Sequence, residues 1–220
     1  MLAACNEMLG GTVKICGLKT MEALAAVIAG GADMAGFVFF GKSPRHLSLQ
    51  QARMLGARAE GNITKVALVV DAADAAIAEI IAALQPEFLQ LHGHETPERI
   101  AEIRTAFGRP VIKAFGIAAE ADLAAALAQA GPADWLLFDA KPPVGASHPG
   151  GNGIAFDWTF LARAQISRPW MLSGGLDPVN VARAIALSGA AAVDVSSGVE
   201  SAPGIKEAAR IAAFIAAAKG

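Results

Sequence analysis

Two periods of hydrophobic patterning alternate along this chain. Short runs rich in Val, Ile, Leu and Phe are separated by longer Ala-rich stretches in which apolar residues recur at helical spacing. That alternation is the signature of repeated strand–helix units on a parallel sheet. Eight strands are predicted, at 13–17 (VKICG), 34–39 (MAGFVF), 65–71 (KVALVVD), 88–92 (FLQLH), 111–115 (VIKAF), 135–140 (WLLFDA), 170–174 (WMLSG) and 191–196 (AAVDVS). Each is expected to lead into a helix. Caps or early prolines mark helix starts at Thr20, Ser48, Asp74, Thr96 before Pro97, Asp157, and Asp177 before Pro178. Gly30-Gly31, Gly108, Gly131 and Gly189 mark helix ends. A doubly wound open sheet gives the same alternation, and the count of eight favours closure into a single-domain α/β fold, the parallel eight-stranded (β/α)8 TIM barrel. The barrel domain is expected over 13–220, behind a tail at 1–12.

The parity of polar residues within the strands adds chemistry to this frame. Side chains alternate along a strand, and in a barrel one parity faces the interior. Lys14 and Cys16 share a face opposite Val13 and Ile15, and Gln90 and His92 share a face opposite Leu89 and Leu91. Lys113, Asp139 and Asp194 repeat the arrangement, each flanked by apolar neighbours. Burying an ionisable group costs several kcal/mol unless it is paired. Lys14, Lys113 and Asp194 therefore read either as functional groups or as a paired interior network with no chemical task. Cys16 and Asp139 fall at the carboxyl ends of strands, where barrel sites lie.

Composition narrows the choice of partner. Lys+Arg 18 against Asp+Glu 20 gives a formal charge of -2, so no basic surface points to nucleic acid and any anion site is local. Hydrophobic residues make up 54% of the 220 residues, yet Asp33, Glu79, Asp122 and Asp134 interrupt the longest apolar stretches, so no membrane span is expected. The opening MLAAC lacks the basic start and apolar length of an export signal, and a cytoplasmic protein is expected. Cys5 and Cys16 lie in unlike contexts and form no disulfide framework.

Glycine-rich turns are the candidate anion site, although a tight turn can also need glycine for its own backbone. The seventh strand ends in Ser173-Gly174-Gly175-Leu176 and the eighth in Ser196-Ser197-Gly198-Val199. Small side chains let backbone N–H groups approach a phosphate, and the loops after strands seven and eight are where such barrels hold one. A Pro- and Gly-rich stretch at 141–156, including Gly150-Gly151-Asn152-Gly153, reads as a functional loop or lid.

With these residues in place, the chain resembles the phosphoribosylanthranilate isomerase family from Val13 to Gly204. The resemblance is carried by Lys14-Ile15-Cys16-Gly17, the run GFVFFGKSPRHLS ending at Ser48, Leu89-Gln90-Leu91-His92-Gly93, Leu137-Phe138-Asp139, the GG-G loop, LSGGL, and VDVSSGVE with Pro203-Gly204. Asn152 stands where the family usually has Thr or Ser, and no chemistry is read at Lys206-Glu207. The resemblance implies a cofactor-free Amadori rearrangement in tryptophan biosynthesis, with Cys16 as general base and Asp139 as general acid. It also implies Arg45 against the substrate's carboxylate and Gly174, Gly175, Ser196 and Ser197 in the phosphate loops, with His92 and Asp194 as further substrate-binding positions. The expected partner is a phosphorylated small molecule, bound to a monomer or homodimer. The acid needs its proton near neutral pH, which burial beside Leu137 and Phe138 favours, whereas the thiol must lose its own, which Lys14 on the same face favours. Other readings remain: a histidine-pathway aminoaldose isomerase, which places Asp where this chain has Cys16; a metal-dependent ribulose-phosphate epimerase; and a barrel that only binds phosphate.

Overall fold

Strand follows strand around a closed parallel barrel in the computed structural model, which describes residues 11–141 and 156–220. The strands are β1 (Thr12–Cys16), β2 (Met34–Phe39), β3 (Thr64–Val69), β4 (Phe88–Leu91), β5 (Val111–Ile117), β6 (Trp135–Ala140), β7 (Trp170–Leu172) and β8 (Ala192–Val195). Each pairs with the next, and β8 returns to β1 with Lys14 in register with Asp194. The predicted segments all coincide with these strands to within a few residues. Closure leaves no unpaired strand edge in the barrel.

The helices are α1 (Met21–Ala29), α2 (Leu49–Ala59), α3 (Asp74–Leu84), α4 (Pro97–Phe107), α5 (Glu120–Gln129), α6 (Val181–Ser188) and α7 (Ala208–Lys219). Thr20, Ser48 and Thr96 cap α1, α2 and α4 as the sequence predicts, and Ser48 forms a reciprocal capping box with Gln51. Three helix expectations need correction. Asp74 is the first residue of α3 rather than its cap. The carboxylate of Asp177 instead takes the N–H groups of Val179 and Asn180 in a turn, so α6 begins only at Val181. Between β6 and β7, a 3-10 helix at Trp158–Arg163, capped by Asp157, is found among the described residues where an α-helix was expected. After β8 the chain makes a second 3-10 turn (Ser197–Val199) and a small antiparallel hairpin, β9 (Glu200–Ala202) with β10 (Ile205–Lys206), before α7.

Two apolar layers form the core. Outward-facing strand residues such as Val13, Ile15, Phe37, Val69, Leu91, Phe138 and Val193 pack against Leu24, Leu55, Ile77, Ile100, Ile211 and Phe214 of the helices. Inside the barrel, Met34, Val66, Phe88, Ile112, Ala114, Trp135, Leu137, Met171 and Ala192 form a separate cluster. Each fully buried Leu or Ile contributes on the order of 2 kcal/mol. The inner cluster draws on the amino-terminal ends of most strands and leaves the carboxyl ends to polar groups. No helix among the described residues is long and apolar enough to cross a membrane. Cys5 and the stretch 142–155, with Gly150 to Gly153, lie outside the described residues.

Membership of these layers corrects one face assignment. Ile112 and Ala114 belong to the inner cluster, so Lys113 points to the outer layer instead of sharing the interior with Lys14 and Asp194. Its ammonium pairs with Glu95 at 2.9 Å and donates to the carbonyl of Gly93 at 2.7 Å. The partner is a structural one, outside the barrel interior.

Candidate active site

The inner face of the carboxyl-terminal rim collects the chemistry-bearing residues. Cys16 is the last residue of β1 and lies beside Val38 and Leu68, with only 4% of its surface exposed. Two residues back, fully buried Lys14 places its ammonium 2.8 Å from Asp194 on β8. Burial alone would lower the Lys14 pKa, but Asp194 and Cys16 together outweigh it and raise it, which keeps the ammonium charged. Burial pushes the Cys16 thiol up, and Asp194 adds to this, while Lys14, Lys206 and Arg45 pull it down. Desolvation wins, so Lys14 is near the thiol as expected without making it an acidic one. A thiol of this kind is sparse as thiolate at neutral pH, and its thiolate is avid for a proton once formed.

On the other side of the rim, Asp139 of β6 is buried, and its Oδ1 accepts the N–H of Ala140 at 2.9 Å. Its Oδ2 stands 3.5 Å from Nε2 of His92, which follows β4. Gly116 of β5, in register with Asp139, puts no side chain between them. The Gln90 amide lies 3.3 Å from Nδ1 of His92. Donation there leaves the imidazole proton on Nε2, facing Asp139. Among the described residues, His92 is the side chain that faces this carboxyl oxygen.

Arg45 is neither a solvated loop charge nor a free fork. It is buried, and its Nε and Nη2 each donate to one oxygen of Glu200 at 2.8 Å. The bidentate edge expected to meet a substrate carboxylate is thus occupied by a protein carboxylate, leaving the Nη1 edge. The stem of Arg45 crosses Gly17, which has φ +82; a Cβ there would come 2.5 Å from Arg45 Cδ. Glu200 also accepts from Lys206 at 2.8 Å, and Lys206 donates to the Ser196 carbonyl at 2.8 Å and hydroxyl at 3.2 Å. Ser196 Oγ in turn donates to the carbonyl of Cys16 at 3.1 Å. The sequence assigns no role to Glu200, at the end of VDVSSGVE, or to Lys206, because they sit on a short hairpin outside the barrel's strand pattern.

The phosphate expectation divides. Gly174 and Gly175 both have positive φ, and a Cβ on Gly174 would collide with the Ala140 backbone, so this turn can be no bulkier. The N–H groups of Gly174, Gly175 and Ser197 have no acceptor among the described residues, as suits a cradle for an anion. The Ser196 hydroxyl, by contrast, is already committed to Cys16 and Lys206. Among the described residues no three His, Cys, Asp or Glu side chains gather as a metal site.

A closed (β/α)8 barrel with a buried thiol and carboxyl at its catalytic rim, and glycine loops after β7 and β8, belongs to the class of barrel enzymes that process small phosphorylated molecules. Residues 13–217 match the family model described as N-(5'phosphoribosyl)anthranilate (PRA) isomerase. The chain is 53% identical to the N-(5'-phosphoribosyl)anthranilate isomerase of Cereibacter sphaeroides over 96% of this chain and 100% of that one. The crystal structure of phosphoribosyl anthranilate isomerase from Thermotoga maritima superposes with TM-score 0.83 at 37% identity, covering 95% of this chain and 98% of that one. A second solved structure, in complex with reduced 1-(o-carboxyphenylamino)-1-deoxyribulose 5-phosphate, superposes with TM-score 0.80 at 35% identity, covering 95% and 98%. The chain belongs to the N-(5'-phosphoribosyl)anthranilate isomerase family.

Proposed function

We propose that this chain carries out the isomerisation for which its family is named, with Cys16 as general base and Asp139 as general acid. The substrate is N-(5-phosphoribosyl)anthranilate and the product is 1-(2-carboxyphenylamino)-1-deoxyribulose 5-phosphate. Asp139 gives its proton to the furanose ring oxygen, the ring C–O bond breaks, and the anomeric carbon becomes a Schiff base with the anthranilate nitrogen. Cys16 as thiolate then takes the proton from the adjacent ribose carbon, and those electrons move into the neutral enolamine. Tautomerisation of the enolamine yields the ketone.

The observation that carries this reading is the placement of a buried thiol and a buried carboxyl on the inner face, at the carboxyl ends of β1 and β6. The free amides of Gly174, Gly175 and Ser197 suit the 5-phosphate, and the Nη1 edge of Arg45 suits the anthranilate carboxylate. Loss of substrate fluorescence on mixing freshly prepared phosphoribosylanthranilate with purified protein tests the function. A decay at the spontaneous rate would reject it.

A further inference from the structure

Counting charge around the thiol shows a group that the acid–base pair leaves unexplained. Among the described residues, the charged groups that act most strongly on Cys16 are Lys14 on its own strand, Asp194 on β8, Lys206 on β10 and Arg45 from the loop after β2. Glu200 of β9 stands behind Arg45 and Lys206 and pairs with both. Among the described residues, β2, β3 and the turns after them place Gly36, Val38, Leu68, Phe40 and Val70 around the thiol, while His92 and Asp139 come from β4 and β6 at the same rim. Lys14 and Asp194 cancel as a pair. Arg45, Glu200 and Lys206 sum to one positive charge, which matches the one negative charge that Cys16 gains as a thiolate.

Lys206 is built to deliver that charge. Its side chain is 1% exposed, and its three ammonium protons have three acceptors: the Ser196 carbonyl, the Ser196 hydroxyl and Glu200. Burial lowers the Lys206 pKa below the ordinary lysine range, and Glu200 and Cys16 pull it part of the way back up; three acceptors around one Nζ fit an ammonium and leave a neutral amine one donor short. The same Ser196 hydroxyl donates to the Cys16 carbonyl, so the ammonium is tied to the backbone of the base itself. The carboxylate that holds Lys206 is fixed by four donors, two from Arg45, one from Lys206 and the N–H of Gly204 at 3.2 Å. Paired charges this well satisfied hold one geometry.

We propose that Lys206 is a positioning residue for proton transfer at Cys16: the β9–β10 hairpin holds its ammonium beside the base, so that the buried thiolate forms against a fixed positive charge. The proposal rests on Cys16 being the base, as stated under Proposed function. A protein dipole or charge fixed in advance stabilises a developing anion without the reorganisation that solvent would need.

The test is a titration of Cys16 by its ultraviolet thiolate absorbance, taken as the difference between the protein and its Cys16→Ala variant. Subtraction removes Cys5, and the sequence has no tyrosine to add phenolate absorbance at high pH. In Lys206→Met the midpoint should rise by about one pH unit, a tenfold loss of thiolate at neutral pH. The acidic limb of kcat/KM should move with it, and Lys206→Arg should restore both. A Lys206→Met titration that superposes on the parent overturns the proposal while leaving Cys16 as base. Undiminished turnover in Cys16→Ala overturns the base assignment and this inference with it. If Lys206→Met fails to fold, Lys206→Gln removes the charge while keeping an amide able to donate to Ser196 or Glu200; the same shift is expected there, and an unshifted midpoint overturns the proposal.

Discussion

The ammonium of Lys14 lies 2.8 Å from Oδ1 of Asp194, joining the first barrel strand to the last at the seam where the sheet closes. A buried pair of this kind contributes little net stability when intact, yet is costly to break, because either partner alone is a desolvated charge. Asp194→Asn should therefore lower stability by about 3 kcal/mol in urea unfolding. The double variant Lys14→Met with Asp194→Asn should recover most of that loss. Equal unfolding midpoints for the single variant and the parent would show that Lys14 loses its proton or finds another acceptor.

The proposed acid and base can be separated from the fold that carries them. Cys16→Ala and Asp139→Asn each remove one proton-transfer group with little change in volume, so far-ultraviolet circular dichroism should match the parent. Turnover should fall by at least ~10²-fold in each. Activity within a few-fold of the parent in either variant strikes that residue from the mechanism.

Glu200 links the rim to acid stability. Burial would raise its pKa, but the hydrogen bond from Arg45 and the charge of Lys206 outweigh that and hold its carboxyl below the ordinary glutamate range. A group depressed in the folded state contributes stability at pH values above its unfolded pKa and loses it as pH falls through the folded one. The unfolding midpoint should thus decline below about pH 4.3, and Glu200→Gln should flatten that decline while lowering stability at neutral pH. A decline of unchanged steepness in the variant would assign the acid sensitivity to other carboxylates.

Much of this architecture is legible in the sequence, and the failures share a physical cause. The period-two runs located all eight strands, and Thr20, Ser48 and Thr96 marked helix starts, because these signals are local. Alternation says which residues share a face but not which face is inside when a strand is buried on both. Lys113 was misassigned for that reason; register with Leu91 and the inner packing of Ile112 and Ala114 decide it. Asp177 looked like a cap because its side chain does take backbone N–H groups, only in a turn before the helix. Glu200 enters only as the last residue of the VDVSSGVE stretch, and Lys206 is given no role. Their meaning comes from partners at Arg45, Ser196 and, through Ser196, Cys16, and sequence distance hides such contacts.

The hydrogen bond from Ser196 to Cys16 and the ion pair beneath it each span 180 positions of the chain. The proposed base therefore sits early in the chain, while Asp194, Glu200 and Lys206 around it arrive only with the last strand and the hairpin behind it. A nascent polypeptide stopped before residue 192 would carry the thiol, the acid and most of the barrel wall, yet none of the charge pattern around Cys16 that comes from Asp194, Glu200 and Lys206. The charge pattern at this sulfur is in that sense a property of the completed carboxyl-terminal end, in place only once β8 closes the ring and the β9–β10 hairpin folds behind it.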